Sequence, residues 1–305
     1  MRIVVTGITG LIGRRLVQEL LEENYEVIGL SRGPSQSAQD SGLKTPIVHW
    51  DGHTAAGWGQ LADGAFAIVN LAGANIGEKR WTESRKRLLL DSRLDATAAV
   101  VAAIKEVSAK PKVLIQASGI GYYGDRGEEE LEELAPPGSG YLADLGRRWE
   151  DAARPVEEWG VRLVWIRTSP VLSAHGGVAS KLMTLYRFGL GGPLGSGRQW
   201  FPWIHLYDET AAIRFLLKNE RQQGAFNLVA PELIRQKGFA QALGKALRRP
   251  AILPSPALAL KLLLGEMAPE LLLAGQKARP KRLLEAGYKF LFPDIDSALK
   301  EIVPQ

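Results

Sequence analysis

The stretch that decides the fold is Thr6-Gly7-Ile8-Thr9-Gly10-Leu11-Ile12-Gly13. It follows the β-rich run Arg2–Thr6 and opens a helical pattern, Leu11–Glu23. In such a unit the first glycine allows a sharp turn, the second lets a pyrophosphate approach the backbone, and the third lets helix and strand pack closely. Free N–H groups at the helix N-terminus favour a bound phosphate. The pattern predicts a dinucleotide site whose contacts are Gly7, Thr9, Gly10, Leu11, Ile12 and Gly13. The alternative is a glycine turn without a ligand.

Short β-rich runs alternate with helical patterns over the first two-thirds of the chain. The candidate strands are Arg2–Thr6, Glu26–Leu30, Ile47–Trp50, Phe66–Leu71, Val113–Ala117 and Val161–Thr168. The clearest helical patterns are Leu11–Glu23, Glu83–Val107 and Leu142–Trp159. Strands separated by helices predict a doubly wound parallel sheet, the α/β Rossmann fold, covered on both faces.

The pattern loosens after about residue 172, where a glycine-dense loop at 189–197 precedes further helical stretches. These are Asp208–Lys218, Gln236–Leu247, Leu258–Leu264 and Glu270–Gln276, with a strand-like Ala225–Val229 among them. This part is too short and too mixed for an independent sheet. We therefore predict a nucleotide-binding domain over 1–172 and a smaller, mainly helical, substrate-side lobe over 173–305.

The end of the second strand indicates which dinucleotide binds. NAD-binding proteins carry an acidic residue here that accepts the ribose 2′-OH, whereas this chain reads Leu30-Ser31-Arg32. A hydroxyl and a guanidinium can hold a 2′-phosphate by charge-assisted hydrogen bonds. The sequence therefore predicts NADP(H), bound by Ser31 and Arg32. The alternative is a solvated surface arginine.

The composition excludes several classes of protein. The chain has 305 residues, 46% hydrophobic and 23% charged, which is ordinary for a globular protein. The net charge of +5 fits an anionic small ligand as well as nucleic acid. The absence of cysteine excludes disulfides, thiolate zinc sites and a catalytic cysteine, and it permits a reducing compartment. We predict a cytoplasmic location, because the N-terminal apolar run is far too short for a signal peptide.

Other partners have little support in the sequence. No stretch of about 20 apolar residues is present, so no membrane span is expected. The histidines, His49, His53, His175 and His205, lack ligand spacing, so we predict no metal site. The basic run 277–282 is interrupted by Pro280 and lacks interleaved aromatic residues, which favours a solvated face over a nucleic-acid site. The sequence leaves the oligomeric state open.

Together with Asn70-Leu71-Ala72-Gly73, these motifs resemble the extended, epimerase-like branch of the short-chain dehydrogenase/reductase superfamily. The resemblance narrows to its SDR39U1-type epimerase family on four further runs: residues 117–124 (ASGIGYYG), 189–197 (GLGGPLGSG), 203–205 (WIH) and 265–267 (GEM). The segment 273–283 resembles that family's small C-terminal domain. The resemblance covers nearly the whole chain.

The family implies further cofactor contacts at the C-terminal ends of strands and on a nearby helix. Leu71, Ala72 and Gly73 would line the adenosine side; the alternative for Leu71 and Ala72 is strand packing. Arg93 would reach the cofactor from the long helix. Ser118 would face the nicotinamide ribose, and Pro170 would lie beside the nicotinamide.

The catalytic pattern of the superfamily is incomplete in this chain. That pattern comprises a Ser or Thr, a Tyr, and a Lys four residues later that lowers the pKa of the tyrosine. Ser118 and Tyr141 are the candidates here, but Leu145 stands where the lysine belongs and the epimerase serine position falls on Gly119. Without a fixed cation the phenol should stay neutral. The alternative is that Tyr141 is a helix-start aromatic covering the core.

Candidate substrate contacts lie beside the glycine-dense loop. Arg198 and Trp200, with Trp203, could hold a small polar or anionic substrate, and His205 follows them. A structural histidine bonded to backbone is the alternative for His205. Two functions remain open at this point. The first is an NADP(H)-dependent oxidoreductase or nucleotide-sugar-epimerase-like enzyme acting on a small metabolite. The second is an NADP(H)-binding regulatory or sensor protein. A nucleic-acid binder rests on charge alone.

Overall fold

One parallel sheet organises the chain in the computed structural model, which describes residues 1–33, 42 and 44–303. The strands are β1 (Arg2–Thr6), β2 (Glu26–Ser31), β3 (Ile47–His49), β4 (Ala67–Asn70), β5 (Val113–Gly119), β6 (Glu130–Leu131), β7 (Arg162–Thr168), β8 (Val171–Ser173), β9 (Ile204–His205), β10 (Gly224–Leu228) and β11 (Lys277–Ala278). Seven of them pair in parallel in the order β10-β7-β5-β4-β1-β2-β3. The predicted doubly wound fold is confirmed.

Helices cover both faces of the sheet. They are α1 (Leu11–Glu22), α2 (Glu83–Glu106), α3 (Tyr141–Ala153), α4 (Gly177–Arg187), α5 (Leu206–Lys218), α6 (Gln236–Leu247), α7 (Ala257–Leu264), α8 (Lys281–Glu285) and α9 (Ile295–Ile302). Shorter helical turns lie at Gly59–Ala62, Ile120–Tyr123, Arg154–Trp159 and Pro269–Leu273. Among the described residues, no helix is both long and apolar enough to cross a membrane.

The continuous apolar strands are explained by the two covered faces. Ile3 and Val5 pack on one face with Leu16 of α1. Val4 points to the other face, where it packs with Ala99 and Val100 of α2. Successive strand residues alternate between faces, so a sheet that is buried on both sides needs apolar residues at every position.

The chain after residue 172 also builds the sheet, which corrects part of the predicted division. β10 pairs in parallel with β7 as an edge strand, and α5 packs against α1. Residues 206–228 therefore belong to the sheet layers rather than to a separate lobe. The sequence also gave no sign of α4 or α9. Helix α4 begins at Gly177, directly after Gly176, and glycine pairs normally indicate a loop.

A glutamate of the C-terminal segment caps helix α3. Its carboxylate, on Glu270, accepts hydrogen bonds from the backbone N–H of Tyr141 (3.2 Å) and Leu142 (3.1 Å). Gly140 precedes the helix with φ +105°, and a Cβ there would lie 2.5 Å from the Glu270 carboxylate. Glycine is therefore required at this position. An ion pair between Lys86 and Glu266 (2.8 Å) ties the same segment to α2.

Candidate functional site

The turn after β1 has the geometry that its glycines predict. Gly7 has φ +67°, and a Cβ there would lie 2.7 Å from the carbonyl oxygen of Leu71. A Cβ at Gly13 would lie 2.4 Å from the carbonyl oxygen of Gly7, too close for any side chain. The Gly10 N–H donates to the same Gly7 carbonyl at 3.0 Å. These contacts fix the first turn of α1 against the strand ends, with its free N–H groups at the sheet edge.

A buried threonine joins this turn to the end of β4, which the sequence reasoning missed. The Thr6 hydroxyl donates to Asn70 Oδ1 at 2.6 Å and accepts from the N–H groups of Leu71 (3.0 Å) and Ala72 (3.1 Å). Thr6 and Asn70 are partners across neighbouring parallel strands. In the sequence, two polar residues at the ends of adjacent strands could have indicated this contact. Their bonds position the Leu71-Ala72 backbone beside the glycine turn.

A cleft of about 170 Å³ opens at the carboxyl ends of β1, β2 and β4. Eight predicted contacts line it: Gly7, Thr9, Gly10, Ser31, Arg32, Leu71, Ala72 and Gly73. Five further residues line it that the sequence reasoning did not select: Leu30, Trp50, Gly52, Ser92 and Ala96. Six predicted contacts lie outside the lining: Leu11, Ile12, Gly13, Arg93, Ser118 and Pro170. Of these five, Trp50 could have been selected from the sequence, because it is an aromatic residue directly after β3.

Arg32 is available for an anion at one end of this cleft. Its side chain is exposed, and no described carboxylate lies within ion-pair distance of it. It lies beside Gly52, where an added Cβ would be 2.9 Å from Arg32 Cδ. Ser31 is buried, and its hydroxyl accepts the Gly33 N–H at 3.2 Å. The donor set therefore fits a phosphate better than a ribose hydroxyl.

Arg93 supplies a second cation without a counter-ion among the described residues. It is buried, and its guanidinium lies 4.8 Å from the centre of the Trp149 ring and against Gly73. One guanidinium nitrogen, Nη1, donates to the Leu89 carbonyl at 2.8 Å, while Nε is buried without a hydrogen-bond partner in the part of the chain that the structure describes. Burial lowers the pKa of Arg93 to about 10. Buried charges are normally paired, so an arginine in this state beside the cleft fits a bound anion.

The two candidate catalytic hydroxyls are each engaged by protein groups. Ser118 Oγ donates to Glu150 Oε1 at 2.7 Å, and the Tyr141 hydroxyl donates to the Lys86 carbonyl at 2.6 Å. Burial raises the pKa of Tyr141, although the charges of Arg93 and Lys86 oppose this. Leu145 is buried in the core. The structure shows no hydrogen bond between the two hydroxyls, so it does not assemble the usual dyad.

Gly119 leaves space where the superfamily has its serine. The nearest neighbour of an added Cβ there would be the Thr168 carbonyl oxygen, 3.9 Å away. A side chain could therefore fit without strain. The site lacks a hydroxyl at this position because of its sequence, not because the backbone forbids one.

Two of the predicted substrate contacts, Trp200 and Arg198, belong to a partly exposed polar group. The centre of the Trp200 ring lies 3.8 Å from the Arg235 guanidinium and 5.5 Å from the Lys277 ammonium, and its N–H donates to Glu128 at 3.2 Å. Arg198 lies beside it, and its carbonyl accepts a hydrogen bond from Arg235 Nη1 at 2.5 Å. This polar group is partly exposed and could meet a ligand.

His205 does not fit the substrate role that the sequence suggested. It is buried, its Nδ1 accepts the Tyr207 N–H at 3.2 Å, and its Nε2 pairs with Glu301 at 2.9 Å. Both ring nitrogens are therefore used in capping α5 and holding α9. Trp203 is also fully buried. In the described part of the chain, no group of three or more His, Asp or Glu side chains could hold a metal ion.

The comparisons with known proteins agree with this geometry. The sequence pattern of the NAD dependent epimerase/dehydratase family matches residues 3–228, and that of a domain of unknown function, DUF1731, matches residues 255–302. Epimerase family protein SDR39U1 of Mus musculus is 38% identical over 307 residues, covering 99% of this chain and all of that protein.

Two solved structures are similar over almost the whole chain. The human epimerase family protein SDR39U1, isoform 2, crystallised with NADPH, has a TM-score of 0.90 at 36% identity and covers 99% of both chains. A nucleoside-diphosphate sugar epimerase from Corynebacterium glutamicum has a TM-score of 0.78 at 30% identity, over 99% of this chain and 58% of that one. The chain therefore belongs to the NAD dependent epimerase/dehydratase family, among the epimerase family proteins of the SDR39U1 type.

Proposed function

We propose that the protein binds NADP(H) in the cleft at the glycine turn and acts as an oxidoreductase or nucleotide-sugar-epimerase-like enzyme on a small polar or anionic metabolite. One observation carries the proposal. The glycine turn at Gly7–Gly13 opens onto a cleft that is also lined by Arg32, and this arginine has no ion-pair partner among the described residues. The human relative crystallised with NADPH supports the choice of cofactor.

Each part of the cleft has a role in this proposal. The N–H groups at the start of α1 would hold the pyrophosphate, and Ser31 and Arg32 would hold the 2′-phosphate. Arg93 would add a buried positive charge near Gly73. Ser118 and Pro170 lie at the ends of β5 and β7, where an open parallel sheet presents its reacting groups. When bound, the cofactor supplies a hydride donor or acceptor at its nicotinamide.

Specificity for NADP(H) is tested by removing the guanidinium. Arg32→Ala should weaken NADPH binding by ~10–100-fold, because a charge-assisted pair to phosphate is lost, and leave NADH binding nearly unchanged. Fluorescence titration of both cofactors against both proteins measures this. Arg147→Ala, an exposed arginine on α3, serves as the control. Equal affinities of the native protein for NADH and NADPH would contradict the proposal.

The catalytic role of the phenol is tested separately. We expect Tyr141→Phe to reduce NADPH oxidation with a panel of carbonyl compounds by much less than ~100-fold, because the pKa of Tyr141 is raised and its hydroxyl is bonded to a backbone carbonyl. Ser118→Ala should reduce turnover more. A collapse of activity in Tyr141→Phe with cofactor binding intact would show that the phenol is essential.

A regulatory or sensor protein is the second candidate. Leu145 in place of the lysine and Gly119 in place of the serine favour it, since both remove groups that usually transfer protons. The same carbonyl panel separates the two candidates. A sensor binds NADPH tightly but oxidises it no faster with substrates than without them.

A further inference from the structure

Exposed apolar side chains are concentrated in one region. In the described residues, thirteen large apolar side chains are exposed, and five of them are scattered. The other eight form what we call the apolar patch: Leu185, Phe188, Leu190, Ile252, Leu253, Leu258, Leu262 and Leu263. Scattered exposed leucines are ordinary, but a concentration of this kind marks an interaction surface.

Backbone hydrogen bonds join the two segments that carry the patch. The Leu253 N–H donates to the Gly191 carbonyl at 3.1 Å, and the Ser255 N–H donates to the Pro193 carbonyl at 2.9 Å. Helix α7 begins directly after this pairing, at Ala257. The loop after α4 and the segment before α7 therefore lie side by side.

Helix α7 buries none of its eight residues. Its sequence, ALALKLLL, has one charged side chain, and Leu258, Leu262 and Leu263 are each 70–71% exposed. A surface helix normally buries its apolar stripe against the core. This helix presents three of its five leucines outward instead, so the surface they form is suited to an apolar environment outside the molecule.

The charges within the two segments that carry the patch have one sign. No Asp or Glu occurs between Glu232 and Glu266, or between Glu158 and Asp208. Seven exposed cations lie within these two segments: Arg187, Arg198, Lys237, Lys245, Arg248, Arg249 and Lys261. None of the seven has an ion-pair partner among the residues that the structure describes, whereas many basic residues elsewhere are paired. The segments that carry the patch therefore combine exposed apolar side chains with unpaired positive charge.

This combination selects one kind of occupant. A symmetric contact with a second copy would bring two sets of unpaired cations together, which is unfavourable. A nucleic acid offers no apolar surface to the leucines. An anionic bilayer surface offers both an acyl boundary for apolar side chains and negative headgroups for cations.

We propose that the apolar patch docks the protein on an anionic membrane surface, with the α7 leucines at the acyl boundary and the flanking cations against lipid phosphates. The protein would lie on the bilayer rather than cross it. The proposal is independent of the cofactor site, so failure of either one leaves the other standing.

Vesicle sedimentation of the full chain tests this. Vesicles of phosphatidylcholine alone are compared with vesicles containing about a third phosphatidylglycerol. We expect binding to the anionic vesicles, weaker binding to the neutral ones, and release at about 1 M salt, where charges are screened. Arg248→Gln with Arg249→Gln should weaken binding by about fivefold per charge. Leu262→Ser with Leu263→Ser should weaken it by more than about tenfold.

Matched variants outside the patch serve as controls. Leu134→Ser removes a leucine that is 92% exposed elsewhere, and Arg147→Gln removes an exposed arginine on α3. Both should bind vesicles like the native protein, and all variants should keep the native melting temperature. Absence of binding to anionic vesicles, or equal binding by the leucine variant, would overturn the proposal. A dimer in solution that the leucine variant dissociates would assign the patch to a second copy instead.

Discussion

Glu150→Ala should destabilise the protein by about 3–5 kcal/mol, because it leaves a buried arginine without its counter-ion. Both oxygens of Glu150 accept from Arg167, through Nε and Nη2, at 2.8 Å, and Ser118 donates to the same carboxylate. Glu150 is 3% exposed and Arg167 is 4% exposed. Burial alone would lower the pKa of Arg167, but the hydrogen bonds and charge of Glu150 raise it.

Denaturant unfolding measures this loss. Asp144→Ala is the control on the same helix, because it breaks an exposed pair with Arg147 and should cost less than about 1 kcal/mol. Glu150→Leu combined with Arg167→Met should recover part of the lost stability, since it removes both buried charges. A cost for Glu150→Ala no larger than that for Asp144→Ala would show that the buried pair is not what holds α3 to β7.

Glu209→Gln should stabilise the protein by a few kcal/mol at pH 8, and this gain should vanish in acid. Glu209 is fully buried at the start of α5. One carboxyl oxygen accepts from the Thr168 hydroxyl at 2.7 Å, and the other has no partner among the described residues. Burial raises the pKa of Glu209 to about 8, although the hydrogen bond from Thr168 opposes this.

The sign of the pH dependence follows from that raised pKa. Below the ordinary value of 4.5 the carboxyl is protonated in both states, so folding carries no ionisation cost. As the pH rises from 4.5 to about 8, only the unfolded state ionises, and the folded state loses stability steadily. Urea unfolding of both proteins across this range measures the difference. Glu129→Gln, at an exposed glutamate, is the control. Parallel pH profiles for native protein and Glu209→Gln would refute the assignment.

Local patterns in the sequence predicted the sheet and the glycine turn, because both depend on residues that are close in the chain. Gly7 and Gly13 are six positions apart, and the contact of Gly13 with the Gly7 carbonyl lies within one strand–turn–helix unit. Contacts between distant residues left no such pattern. Arg167 of β7 pairs with Glu150 of α3. Strand β10, which lies beyond the predicted domain boundary at residue 172, forms the edge strand of the sheet. The catalytic residues and the cytoplasmic location stay predictions.

The Glu270 cap also determines when the fold can be completed during synthesis. The N–H of Tyr141 and the carboxylate that accepts it are separated by 129 residues. The ribosome therefore releases the start of α3 long before the group that satisfies it, and Gly140 offers no side chain of its own. The N-terminus of α3 therefore stays uncapped until nearly the whole chain has emerged from the ribosome. A prematurely ended chain thus carries a frayed helix, which exposes it to proteolysis.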